Sequence, residues 1–315
     1  MCLVAGRYES WFLSARDVEP GRPPRALWIR HTTHRAASES TPSGALWCTV
    51  FDPGAGAPSA VKQSLPGPPE GADPNGFRGE ARARGRMAEW NLALSGAGTP
   101  LRHLRPGMLY RLPFPRTKLE APVPDGIASG RLVFDGAELD VVGWRATVGH
   151  NWGAEHAERW VWLHAAGFED EPDTWLELAI ARVRIGGALT PWIANGAVAH
   201  GGQRFRLGGL GHAAGVRVIA RPGRLEAIVP GGRVHIRVAV HADLEQTVGF
   251  RYAGVTGDAE RSDREVLHAG LADVHLHIRR PGRSSAELAA TAGGAYELGG
   301  SEFTREVPLQ PYPDP

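Results

Sequence analysis

The chain has 315 residues, 42% hydrophobic and 22% charged, with a net charge of +1. Its 41 glycines and 25 prolines fill about a fifth of the chain, below the roughly 25–30% that marks low-complexity disorder. Ten tryptophans and nine phenylalanines supply apolar surface for an ordered core, while dense Gly and Pro exclude long helices.

The near-neutral balance leaves no electrostatic footprint for nucleic acid. The two cysteines, Cys2 and Cys48, cannot build a disulfide framework and point to a reducing, cytoplasmic compartment. No long apolar run suggests a membrane-spanning helix, and no signal-peptide pattern is visible. Transient contact with a membrane surface is compatible with this composition.

Taken in chain order, residues 52–76 are rich in Pro, Gly and Ala and read as a long loop. Gly79–Leu94 alternates as a strand, but its polar parity (Glu80, Arg82, Arg84, Arg86) turns apolar at Ala88 and Trp90. Such a slip predicts a bulge or a change of sheet. Arg131–Val142 reads as a hairpin turned at Asp135-Gly136. Glycines and polar residues cluster at 143–157, and a break there divides the chain into 1–150 and 151–315.

Glu155–Glu158 is a candidate helical turn. Thr174–Ile185 alternates Trp175, Glu177, Ala179 and Ala181 with Leu176, Leu178 and Ile180, a strand signature. Arg233–Val240 and Asp273–Arg279 alternate likewise, and Pro222-Gly223 and Pro230-Gly231-Gly232 mark turns. Asp258–Leu271 has room for one or two helical turns. Val307–Pro315 carries three prolines and reads as a tail. The class is all-β, built from short antiparallel strands.

Six tryptophans fall between Trp144 and Trp192. They form either a large-residue core or an aromatic pocket whose faces stabilise a cation. Trp144, Trp152, Trp162 and Trp175 are the pocket candidates, and His164 shares the parity of Trp160 and Trp162. Glu177 shares its face with Trp175 and Ala179, so burial would keep it protonated and available as a general acid. An arginine partner such as Arg159 or Arg182 is the alternative. His150 lies in Gly149-His150-Asn151-Trp152-Gly153, read as a tight turn, where it is placed to shuttle a proton or to serve as a structural hydrogen-bonder. His150, Glu155, His156 and Glu158 lack the spacing of a helical zinc site, so no metal is expected.

Several stretches together resemble a known superfamily. They are Tyr8-Glu9-Ser10-Trp11-Phe12, Ala26-Leu27-Trp28-Ile29-Arg30, Gly143-Trp144, the 149–153 segment, Trp175-Leu176-Glu177 and Pro191-Trp192. The pattern is similar to the group of carotenoid 1,2-hydratase (hydroxyneurosporene synthase), tocopherol cyclase and AttH-like proteins. The resemblance implies two lipocalin-like (calycin) antiparallel β-barrel domains in tandem, a ligand cavity and no obligatory cofactor. In the hydratases a His-x-Trp motif precedes a Tyr-x-Asp motif whose Asp is the proton donor. His150-Asn151-Trp152 matches the first. Trp175-Leu176-Glu177 stands at the second, with Glu for Asp and Trp for Tyr.

Two functions follow as expectations. One is an acid-initiated hydratase or cyclase acting on an apolar, isoprenoid-like or polyketide-like alkene. Glu177 is its acid, His150 orients that acid, and Trp152, Trp162 and Trp175 shield the cation. The other is a lipocalin-like carrier that binds a small apolar molecule without chemistry, in a barrel mouth.

Overall fold

The computed structural model describes residues 6–17, 19, 21–96, 98–255, 263–300 and 306–312. They form two successive antiparallel sheets of ten strands each. The first holds β1 (Arg7–Asp17), β2 (Arg25–Arg35), β3 (Ser43–Phe51), β4 (Ser59–Leu65), β5 (Ala72–Asp73), β6 (Gly76–Ala83), β7 (Arg86–Ser95), β8 (Leu101–Arg102), β9 (Thr117–Phe134) and β10 (Ala137–Gly153). Its order is β4-β3-β2-β1-β10-β9-β7-β6-β5, with β8 on β9.

The second half repeats the plan. It holds β11 (Arg159–Ala166), β12 (Trp175–Arg182), the small hairpin β13 (Arg184–Ile185) and β14 (Ala188–Leu189), β15 (Ile193–His200), β16 (Gln203–Gly208), β17 (Arg217–Arg221), β18 (Arg224–Pro230), β19 (His235–Ala242), β20 (Thr247–Tyr252), β21 (Arg264–Arg279) and β22 (Ala286–Gly300). The sheet order is β16-β15-β12-β11-β22-β21-β19-β18-β17, with β20 on β21.

Each sheet curls on itself. In the first, the Arg82 backbone N–H of β6 donates to the Gln63 side chain of β4 at 2.7 Å. In the second, Gly231 packs so close to β16 that a Cβ there would stand 2.3 Å from the Arg206 carbonyl oxygen.

Period-two alternation decides what each curl encloses. Leu13, Ala15, Leu27, Ile29, Trp90 and Val148 fill the first interior. Val161, Leu163, Leu176, Leu178, Tyr296 and Leu298 help fill the second. The opposite parity faces the other domain. Trp28, Trp47 and Phe51 of the first sheet share a cluster with Phe250, Tyr252 and Val266 of the second. Phe12 meets Trp162 edge to face at 5.1 Å, a geometry worth about 0.5–1.5 kcal/mol beyond area burial. Gly149 makes that approach possible, because a Cβ there would fall 2.0 Å from the Phe12 ring.

Several local expectations change. The slip in Gly79–Leu94 is a hairpin: Arg84 (φ 52°) and Gly85 (φ 76°) reverse the chain between β6 and β7. The 149–153 segment is the extended end of β10, because every residue from Tyr8 to Phe12 pairs with it on β1. Residues 52–76 contain β4 and β5, since Ser59–Leu65 pairs along the edge of β3. Glu155–Glu158 makes no helical turn. Arg264–Leu271 is strand, held between β20 and β22, while 258–262 lie outside the described residues. The tail docks at Leu309, which bridges to Gly249. The Asp135-Gly136 and Pro222-Gly223 turns fall between strands, while Pro230 ends β18 and Gly231-Gly232 follow it. No helix of the described residues is long and apolar enough to cross a membrane.

Candidate functional site

The faces that the two curls turn toward each other carry polar side chains beside the apolar cluster. Packed together, they bury Ser10, Ser14, Arg16, Arg30, His164 and Glu177. This is the polar stratum of the molecule, and a cavity of about 320 Å³ opens beside it. Tyr8, Trp28, Arg30 and Asn151 line it from the first domain, and Trp160, Trp162, Asn195 and Tyr252 from the second. His103, just after β8, completes one wall.

Glu177 stands on the outer face of β12, 1% exposed. The Trp162 indole N–H donates to its Oε1 at 2.7 Å. His103 Nε2 is 3.7 Å from the same oxygen, too long for a hydrogen bond. Oε2 has no hydrogen-bond partner among the described residues. Burial pushes the carboxyl pKa up to about 8, against the pull of the Trp162 bond and the Arg16 charge. Burial likewise pushes the His103 imidazole down to about 3, helped by Arg206 and opposed by the Leu119 carbonyl. The pair is therefore a neutral acid beside a neutral base at pH 7, not an ion pair.

Arg16 reaches this site from β1. It donates to Ser14 Oγ at 3.1 Å and to His164 Nδ1. His164 Nε2 is 2.9 Å from the Pro124 carbonyl oxygen. A neutral His164 protonated on Nε2 satisfies both contacts. Burial, then Arg16, hold it well below its ordinary pKa. His164 is thus a clamp between domains.

A second carboxylate has the opposite environment. Glu297 on β22 accepts from Trp160 Nε1 at 2.7 Å and from Tyr252 Oη at 3.0 Å. His268 Nδ1 lies 3.5 Å away. Burial raises its pKa, but His268, Arg30 and the Trp160 bond outweigh that and hold it below the ordinary value. Two carboxyl groups on one interface are thus driven apart, the arrangement that separates an acid from a base.

The remaining expected residues scatter. His150 and Trp152 face the open end of the first barrel, not the interdomain cavity, because Asn151 takes the outward parity of β10. His150 is stacked between Trp11 and Trp152, with ring centroids at 4.2 and 4.4 Å. Its Nε2 is 2.9 Å from a Glu9 carboxylate oxygen, and its Nδ1 is 3.4 Å from one of Glu120. With Trp152 it lines a separate recess beside Arg102 and Tyr110. Trp144 is buried in the first barrel's core, and Trp175 packs with Leu101, Ala121 and Ala197 away from the cavity. Among the sequence candidates, Trp162 lines the cavity and Glu177 stands directly behind it.

Sequence reasoning missed His103, Asn151 and Glu297. His103 sits in Leu101-Arg102-His103-Leu104 with no motif to mark it. Asn151 was hidden by the reading of 149–153 as a tight turn; only the strand pairing with β1 gives it a parity opposite to His150 and Trp152. Glu297 shares its face with Ala295 and Gly299, residues too small to mark that face as buried the way Trp175 marks that of Glu177. Among the described residues, no group of three or more His, Cys, Asp or Glu is placed to hold a metal ion.

No family model matches the chain. Uncharacterised proteins of two Mycobacterium tuberculosis strains are 27% identical over 180 residues, 51% of this chain. The chain spans about half the length of these curated relatives. Three solved structures share the fold over nearly all of it. A provisionally assigned AttH from Nitrosomonas europaea superposes with a TM-score of 0.54 at 14% identity, over 93% of this chain and 92% of the other. Kievitone hydratase from Nectria haematococca gives 0.54 at 8%, over 96% and 90%. CghA gives 0.57 at 11%, over 94% and 88%. The chain thus has the tandem lipocalin-like β fold that its sequence resemblance implied, a fold that a hydratase also uses.

Proposed function

We propose that the protein is an acid-initiated hydratase or cyclase for an apolar alkene of isoprenoid-like or polyketide-like type. The observation that carries this is Glu177, a buried carboxyl group with one unpartnered oxygen, set beside His103 and Trp162 in the cavity wall. His103 takes the place beside the acid first given to His150, with a further role: it touches the ligand and passes the Glu177 proton to it. The proton adds to one alkene carbon, leaving a cation at the other. Trp160, Trp162 and Tyr252 present aromatic rings to that cation. Water capture gives an alcohol, and capture by an internal hydroxyl gives a ring; either oxygen releases one proton, which returns to Glu177 through His103.

The experiment is turnover of an alkene panel in deuterium oxide, read by mass spectrometry. Hydratase or cyclase chemistry places one deuteron on carbon, and Glu177→Gln lowers the rate at least a hundredfold, the low end of general acid catalysis. Full deuteration by the variant removes Glu177 from the reaction.

The second reading is binding without chemistry. It is favoured by the position of Glu177 behind the cavity wall rather than on its surface. A tightly bound panel member that never gains deuterium establishes it.

A further inference from the structure

The Arg30 side of the cavity is a polar position that chemistry at Glu177 leaves unused. Arg30 projects from the outer face of β2 and is 4% exposed. Its Nε donates to Ser10 Oγ at 2.6 Å, and its guanidinium carbon lies 3.8 Å from the Tyr252 ring centroid. These contacts fix the fork, yet Nη1 has no hydrogen-bond partner among the described residues. Asn151, paired with Ser10 across β1 and β10, also lines the cavity, and among the described residues its Oδ1 has no partner either. Buried polar atoms are nearly always satisfied, so an unpaired guanidinium donor on a residue of the cavity wall points to a ligand.

The chemistry of the missing partner follows from the donor. A guanidinium only donates, so the ligand must present an acceptor oxygen. Glu297 lies close enough for its charge and that of Arg30 to attract. Both Glu297 oxygens already accept from Trp160 and Tyr252. The charge is therefore balanced through space while the Nη1 donor stays open. That favours a neutral oxygen over a second anion, which Glu297 would repel.

Size narrows the class. An apolar cavity of about 150 Å³ holds benzene. The cavity here, about 320 Å³, encloses roughly twice that ligand.

We propose that the cavity takes an apolar molecule of about two fused rings carrying a neutral carbonyl oxygen, which accepts a hydrogen bond from Arg30 Nη1. This rests on the proposed cavity being the ligand site, but not on chemistry at Glu177.

The test is equilibrium dialysis of the full chain against three probes: 2-acetylnaphthalene, 2-ethylnaphthalene and 2-naphthoate. The ketone should bind at least tenfold more tightly than the hydrocarbon and more tightly than the carboxylate. In Arg30→Met its advantage over the hydrocarbon should shrink to within threefold. Equal binding of ketone and hydrocarbon by the native protein overturns the oxygen anchor and leaves the cavity reading standing. Tighter binding of the carboxylate overturns the neutral-oxygen assignment. An advantage that survives in Arg30→Met removes Arg30 from the site. Binding of none of the three overturns both readings. Should Arg30→Met fail to fold, Ser10→Ala, which removes the anchor of the fork, should reduce the same advantage, and an undiminished one counts against the proposal.

Discussion

Replacing Glu177 by Gln should stabilise the protein, and by an amount that grows with pH. The folded chain holds the Glu177 proton up to a pKa of about 8, whereas an ordinary glutamate releases it near 4.5. Between those values the folded state binds more protons than the unfolded state, so stability falls as pH rises. Each pH unit in that window costs about 1.4 kcal/mol, which gives a penalty of about 3 kcal/mol at pH 7 and below about 1 kcal/mol at pH 5. Gln carries no such penalty, and its carbonyl still accepts from Trp162 Nε1. Its amide is also placed to approach His103 Nε2.

His103 runs the other way, losing stability as pH falls from 6.5 toward 3. It is present in both proteins, so that dependence cancels in the comparison. The assay is urea unfolding of both proteins from pH 5 to pH 8, read by tryptophan fluorescence. The variant's advantage should widen by about 2 kcal/mol between pH 5 and pH 7. A difference that stays constant with pH would show that Glu177 ionises normally, and the acid assignment would fail.

Other outcomes follow from the same geometry. Turnover should fall on the alkaline side near pH 8, as Glu177 loses its proton. Trp162→Phe removes the hydrogen bond that lowers its pKa, so the limb should move upward; an unmoved or lowered limb contradicts this. His103→Gln should cut turnover about a hundredfold, while His150→Ala, in a separate recess, should change it by less than about threefold; the reverse order would restore His150 as the partner. Gly149→Ala should destabilise by about 1–3 kcal/mol, because its Cβ collides with the Phe12 ring; unchanged urea stability would refute that packing.

The all-β class, the hairpin turns and the barrel-filling parity of β12 were legible because alternation and turn chemistry are local. Glu177 was legible for the same reason: a carboxylate on an apolar parity marks a buried acid. What that parity faced was not local. The sequence pattern suits a barrel mouth equally well, yet the structure turns Glu177 outward, against another domain. His150 and Asn151 show the same limit at one-residue resolution. Once the segment is a strand instead of a turn, its two conspicuous residues face away from the cavity and the plain one faces it. His103 depends on β8 pairing with β9 and on β12, more than 70 residues further along, lying beside them.

The central claim is that Glu177 stays protonated at neutral pH inside the interdomain site. Infrared difference spectroscopy of the native protein against Glu177→Gln measures it directly. A protonated carboxylic acid band is expected at pH 7, converting to carboxylate with a midpoint near pH 8. A carboxylate band already complete at pH 6 would contradict the claim.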